Sequence, residues 1–242
     1  MQILVINSGS SSLKFKLFRL AADHHVVLAA GLVEEIGGPA GRVHVRWPAG
    51  EVNVSRRVPD HHSALEIAEE QLLTHGILPD FNRLAAVAHR VVHGGEKFTR
   101  PVLVDERVLA AIRELEPLAP LHNPYNLEGI VAMGRRAPAV PQVAVFDTAF
   151  HQQLPPAAHV YALPYGFYAE HGVRRYGFHG ISHAYLARTA AAFLDRPERE
   201  LRLITLHLGN GASAAAIRGG VSVDTSMGMT PMEGLVMGTR SG

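Results

Sequence analysis

The chain has 242 residues, 47% hydrophobic and 19% charged, enough for one large domain or two smaller ones with a sizeable core. Lys and Arg total 23 against 22 Asp and Glu, so no basic surplus argues for nucleic acid and no polybasic tail for a membrane surface. There is no cysteine, which excludes a disulfide framework, a thiolate metal site and a cysteine nucleophile.

The chain opens on Met1-Gln2 and a short apolar run, Ile3 to Ile6, with no basic region before it. That run reads as a strand rather than a signal peptide. No stretch approaches the roughly 20 apolar residues of a membrane span, so a cytoplasmic setting is expected. Asn7 to Ser12 is a polar turn, and from Leu13 the alternation of Leu13, Phe15 and Leu17 with Lys14 and Lys16 predicts a returning strand. A third strand is expected from Val26 to Val33. Ser63-Ala64-Leu65-Glu66 has capping-box spacing ahead of Leu65, Ala68 and Leu72 at helical spacing, with a stop at Gly76. Leu84 to Val92 reads as a buried strand ending at His93. Asp105 can cap a helix carrying Val108, Leu109, Ile112 and Leu115, broken by Pro117. Asn123-Pro124 reads as a cap and first-turn proline opening a helix to about Arg135. Val143 to Phe146 is a strand that delivers Asp147 at its end.

The opening pattern then returns. Leu201 to Leu208, Ala212 to Ile217 and Val221 to Asp224 read as strands separated by Gly209-Asn210-Gly211 and Gly219-Gly220. Strand, Gly-rich turn, strand, turn, strand thus occurs near residue 2 and near residue 201, which implies two related domains. The expected division is 1–147 and 148–242. The first copy is followed by a full set of strands and helices, whereas the second runs to Gly242 soon after its third strand, so part of the second domain is expected to be missing.

Both Gly-rich turns can converge N–H groups and hydroxyls on an anion. In the first, Ser10 and Ser12 add donors and Lys14 adds charge. It is not a Walker A loop, because the spacing differs and no helix follows. The bland alternative is a polar hairpin without a ligand. The second, Gly209 to Ala214, formally fits a dinucleotide fingerprint, but too few residues precede Gly219 for a crossover helix. Arg90 and His93 near one strand end, Asp147 after another, His179 in Tyr-Gly-Phe-His-Gly and Arg240 in Gly-Thr-Arg-Ser-Gly would suit phosphoryl transfer, which needs positive donors and placement. Taken singly, each also has a structural reading: a solvated Arg, a capping Asp, a satisfied His. His24, His25, His61 and His62 read as solvated. His179 and His183 have i, i+4 spacing that could bind zinc on a helix, but Gly180 and a capping role for Ser182 argue against a helix running through both.

Seven stretches carry a resemblance: Val5 to Phe15, His89 to Glu96, Leu118 to Pro124, Phe146 to His151, Tyr176 to His183, His207 to Ser213, and Asp224 to Gly242. In that order they resemble the acetate kinase family, within the sugar kinase, Hsc70 and actin superfamily. The resemblance implies an α/β fold, a duplicated actin-like/ribonuclease H-like ATPase with mixed sheets flanked by helices. It implies ATP:acetate phosphotransfer by direct in-line attack, giving acetyl phosphate and ADP, with Mg²⁺ or Mn²⁺ and a homodimeric enzyme. By the same resemblance, Asn7 would help place the metal, and Ser10, Ser12 and Lys14 would belong to a phosphate-facing hairpin. Arg90 and Arg240 would hold the acetate carboxylate and the transferring phosphoryl group. His179 would donate to that group with His122 nearby, and Asp147 would orient the carboxylate or organise the metal. Val92, Leu121, Phe178 and Pro231 would form the pocket for the acetate methyl. His207, Leu208, Gly209, Asn210, Gly211, Ala212 and Ser213 would face the ATP phosphates. Family members continue with an aspartate, a Gly-rich adenosine-binding segment and a glutamate for the metal, so these 242 residues alone are expected to be inactive or nearly so. The alternatives are a propionate or other short-chain acid kinase, or a truncated non-catalytic nucleotide-binding module.

Overall fold

The computed structural model describes residues 1–22 and 24–242. It forms two compact units: unit 1 is 1–91 with 101–145, and unit 2 is 92–100 with 146–242.

Unit 1 is built on an eight-stranded sheet in the order β5-β4-β3-β2-β1-β6-β8-β7. β1 (Gln2–Ser8), β2 (Ser12–Leu20) and β3 (His25–Glu34) form an antiparallel meander, as the alternation predicts. β4 (Gly41–Trp47) and β5 (Gly50–Arg56) extend it as a second hairpin that the sequence reading did not identify. Its signal was present: Val43 and Val45 alternate with Arg42, His44 and Arg46, and Pro48-Ala49 makes the turn. β6 (Ala86–Val91) runs parallel to β1, and β7 (Val102–Leu103) pairs with β8 (Gln142–Phe146).

Three helices accompany the sheet: α1 (His61–Thr74), α2 (Glu106–Glu114) and α3 (Asn123–Arg136). Leu4, Ile6, Leu13 and Leu17 of the sheet and Ala64, Leu65, Ala68 and Leu72 of α1 share one core. Each buried Leu or Ile there contributes roughly 1.5–3 kcal/mol. Asp105 caps α2 as expected, accepting from Val108 N–H at 2.8 Å. The other two helix starts differ from expectation. Asp60, not Ser63, caps α1: its carboxylate accepts from Ser63 N–H at 2.7 Å, so Ser63 already lies in the first turn. In α3 the cap is His122, because the carbonyl of Ala119 has taken both the His122 and Asn123 N–H groups and wound Asn123 into the helix.

In unit 2 a three-stranded antiparallel sheet, β9 (Arg202–Leu208), β10 (Ala212–Arg218) and β11 (Val221–Thr225), repeats the opening meander. Before it come the short α4 (Pro156–His159) and α5 (Gly166–His171), then α6 (Gly180–Phe193).

Candidate active site

Unit 1 supplies one group of candidates at the β1–β2 end of its sheet. Asn7 and Lys14 are cross-strand partners, and Arg90 Nη1 donates to Asn7 Oδ1 at 3.3 Å. Asn7 and Lys14 also line a groove of about 550 Å³ on the open sheet face, with Lys16, His44 and Arg46. The turn itself is tighter than predicted: Asn7 and Ser8 are the end of β1, and Gly9 N–H donates to Ser12 O at 2.7 Å. Ser10 is exposed at its tip. Leu121 and His122 lie exposed ahead of α3, Leu121 at 73%.

The remaining candidates belong to unit 2. Asp147 follows β8 and is buried, and its carbonyl accepts Gly180 N–H at 2.8 Å, the first N–H of α6. His179 therefore sits just ahead of that helix, in the left-handed region with φ 56°. Such a backbone is uncommon outside glycine and marks a position held by its surroundings. His179 Nδ1 lies 2.9 Å from Ser213 Oγ, and His183 Nε2 lies 2.8 Å from the same hydroxyl. His183 Nδ1 meets Thr205 Oγ1 at 2.7 Å. The His179 ring stacks on His207 at 4.0 Å, and His207 Nδ1 is 3.0 Å from Ser182 Oγ.

Ser182 is thus a helix residue turned onto His207, and His179 takes the cap position assigned to Ser182. His183 has both ring nitrogens on hydroxyls, so it does not share a metal with His179 and the zinc alternative loses its geometry. His61, read as solvated, is also different: it is only 4% exposed and bonded on both sides.

Arg240 comes to the same region. Its Nε donates to Pro231 O at 3.0 Å and Nη1 to Thr239 Oγ1 at 3.3 Å. A Cβ placed on Gly211 would stand 3.0 Å from Arg240 Nη2 and 3.2 Å from His179 Cε1. Only a residue without a side chain lets the β9–β10 turn approach both groups this closely. Gly209 and Asn210 are exposed beside it, while Ala212 and Ser213 are buried. Val92 and Phe178 are buried, Phe178 beside His93 with ring centroids 5.6 Å apart. Pro231 is half-buried. Thr205 is the polar residue of this network that motif reading passed over; His183 was read only as a possible zinc partner of His179, and His61 only as solvated.

Burial sets the protonation of several histidines. It lowers His151 and His183 to about 4, and His89 and His93 likewise. His151 stays neutral between Phe178 O, which accepts from Nε2 at 3.0 Å, and Ser222 Oγ at 2.8 Å. Unfolded, these rings titrate near 6.5, so between that pH and about 4 the unfolded chain binds protons that the folded chain refuses. Stability is present above the window and falls as pH drops through it, by on the order of 1.4 kcal/mol per pH unit for each such histidine. Denaturant midpoints measured from about pH 7 down to about pH 4.5 should decline accordingly, and a flat profile would contradict the burial argument.

A mixed sheet flanked by helices in unit 1 and a repeat of its opening meander in unit 2 belong to the actin-like ATPase fold, a duplicated α/β architecture. Residues 2–242 match the Acetokinase family, and the chain belongs to that family. It is 51% identical over 245 residues to the acetate kinase of Halothermothrix orenii, covering all of this chain and 61% of that protein. The crystal structure of Porphyromonas gingivalis acetate kinase superposes with a TM-score of 0.94 at 47% identity, again over all of this chain and 61% of the other. A propionate kinase from Francisella tularensis superposes with a TM-score of 0.92 at 41% identity and 61% coverage. The chain therefore spans about three fifths of the length of these relatives.

Proposed function

We propose that the protein transfers the terminal phosphoryl group of ATP to acetate, reversibly, giving acetyl phosphate and ADP. The observation that carries this reading is the convergence in unit 2 of Arg240, His179 and the glycine-narrowed β9–β10 turn. A carboxylate oxygen attacks phosphorus in line as the bond to ADP breaks. Acetate is already ionised at neutral pH, so no strong base is required. The barrier lies in bringing two anions together, which guanidinium groups and a donor histidine offset.

In this reading Arg240 and Arg90 hold the carboxylate and the transferring group, and His179 donates to the latter. Asp147 orients the carboxylate or organises the metal. The turns at Ser10–Ser12 and Gly209–Ser213, with Lys14, His207 and Leu208, take the nucleotide phosphates. Val92, Leu121, Phe178 and Pro231, with His122 near, limit the size of the acid. Residues 1–147 and 148–242 act as the two domains.

A divalent cation belongs to such chemistry. Among the described residues no group of three or more His, Cys, Asp or Glu could cage one. Mg²⁺ does not need a cage, since it keeps waters and takes phosphate oxygens with one or two protein oxygens. Asn7 Oδ1, at the end of β1, fits that demand. Bound with the nucleotide, the cation would neutralise charge on the phosphates. The proposal includes a cytoplasmic homodimer acting without nucleic acid or membrane; no described helix is long and apolar enough to cross a bilayer.

Acetyl phosphate formation, trapped as the hydroxamate, tests the reading on the protein as its source cell makes it. Acetate should exceed propionate in kcat/KM by roughly 10-fold or more, the worth of one methylene in a tight apolar pocket. A reversed ratio would assign the protein to propionate instead. No phosphorylated acid from either would leave a nucleotide-binding module as the better account.

A further inference from the structure

The β1–β2 turn is held by two side chains from the helices. His61, the first residue of α1, is buried, and its Nε2 donates to the Gly9 carbonyl at 2.8 Å. Its Nδ1 faces Glu128 Oε2 of α3 at 2.9 Å. Asn126, also on α3 and buried, donates Nδ2 to the Ser8 carbonyl at 2.6 Å. Two successive carbonyls of the turn are therefore tied to α1 and α3. A trans peptide points its N–H opposite to its C=O, and there is no cis peptide among the described residues. Tying the Ser8 carbonyl leaves Gly9 N–H bonded to Ser12 O across the turn. Tying the Gly9 carbonyl turns Ser10 N–H away from His61, at the exposed tip.

The geometry points to His61, oriented by Glu128, as a positioning residue for nucleotide binding: it fixes the Gly9–Ser10 peptide so that Ser10 N–H is presented to a phosphate oxygen. This rests on the phosphoryl-transfer reading above. His61 touches neither substrate in this account. It acts through one peptide plane, and the loss expected on its removal is that of one oriented hydrogen bond to a charged group.

The test is steady-state kinetics with calorimetric ATP binding on the protein as its source cell makes it, comparing His61→Ala, His61→Gln and Glu128→Gln. His61→Ala should raise both KM and Kd for ATP about 10-fold while KM for acetate stays within about twofold. His61→Gln, whose amide can still donate to the Gly9 carbonyl, should recover most of the affinity. Wild-type ATP affinity in His61→Ala overturns the inference. So does an equal loss for both substrates with no recovery in His61→Gln, which is general damage rather than positioning. Should His61→Ala fail to fold, Glu128→Gln decides: a rise of about threefold in Kd for ATP is expected, and no rise overturns the inference. If the unaltered protein phosphorylates no carboxylic acid, the functional reading falls, and ATP binding by the same variants still reports on the brace.

Discussion

On the proposed phosphoryl-transfer reading, Arg90→Ala and Arg240→Ala in the complete enzyme are each expected to cut the rate of acetyl phosphate formation by roughly 10³-fold, about 4 kcal/mol of transition-state stabilisation. Two like charges about 4 Å apart repel by about 4 kcal/mol at the effective dielectric of a protein surface, so a single lost guanidinium leaves a barrier of that order. Both side chains are also held in place. Arg90 is fixed on Asn7, and Arg240 by Pro231 O and Thr239, which leaves its Nη2 beside the Gly211 backbone. Lysine should not restore either activity, because a point charge cannot reproduce the fork. Both arginines are half-buried, so thermal midpoints should move little. The hydroxamate assay decides: a near-wild-type rate in either variant removes that arginine from the mechanism.

Gly180→Ala should damage both stability and turnover. The new methyl would fall inside contact distance of the Asp147 carbonyl oxygen and 2.9 Å from Phe150 Cβ. Neither neighbour can yield, since that carbonyl already accepts Gly180 N–H and so joins Asp147 to the start of α6. Overpacking of this kind costs roughly 1–3 kcal/mol. The kinetic effect should be larger, because pushing the helix start away moves His179 relative to Asp147, and a misplacement of about 1 Å can cost about 100-fold. Denaturant unfolding and kcat would be measured on one preparation. A variant of normal rate would show that the Asp147–His179 separation does not matter.

Much of this architecture is legible in the residues. The alternation of Leu13, Phe15 and Leu17 fixes which face of β2 is buried, and each is at most 3% exposed. The two Gly-rich turns announced the duplicated meander. Helix starts were less readable. Asp60 and Ser63 stand three residues apart and either could cap, and the extended chain at Asp60, with its carboxylate on Ser63 N–H, marks the one that does. At Asn123 the deciding factor is a carbonyl four residues earlier. The candidate site divides the same way. Residues inside motifs, such as Asp147, His179 and Arg240, could be named. The network around His179 could not be read, because Thr205, Ser213 and His183 come from three different elements and meet only through the pairing of β9 with β10 and the packing of α6. His61 was misread for that reason: its partner Gly9 is 52 residues away, and no periodicity records such a bond.

The Ser213 hydroxyl, within reach of two imidazoles, owns a single hydrogen. It can give that hydrogen to His179 or to His183, not to both, so at least one ring must present an N–H to it. His183 is uncharged down to about pH 4, so for that ring the choice is between two neutral forms. If Thr205 donates to His183 Nδ1, then His183 Nε2 carries the proton to Ser213, and Ser213 is free to donate to His179 Nδ1. His179 then bears its hydrogen on Nε2, the form able to give a hydrogen bond to a phosphoryl oxygen. The tautomer of His179 is thus coupled to a threonine three hydrogen bonds away along a chain of hydroxyl and imidazole, and changing it means moving protons between ring nitrogens while every heavy atom stays where it is.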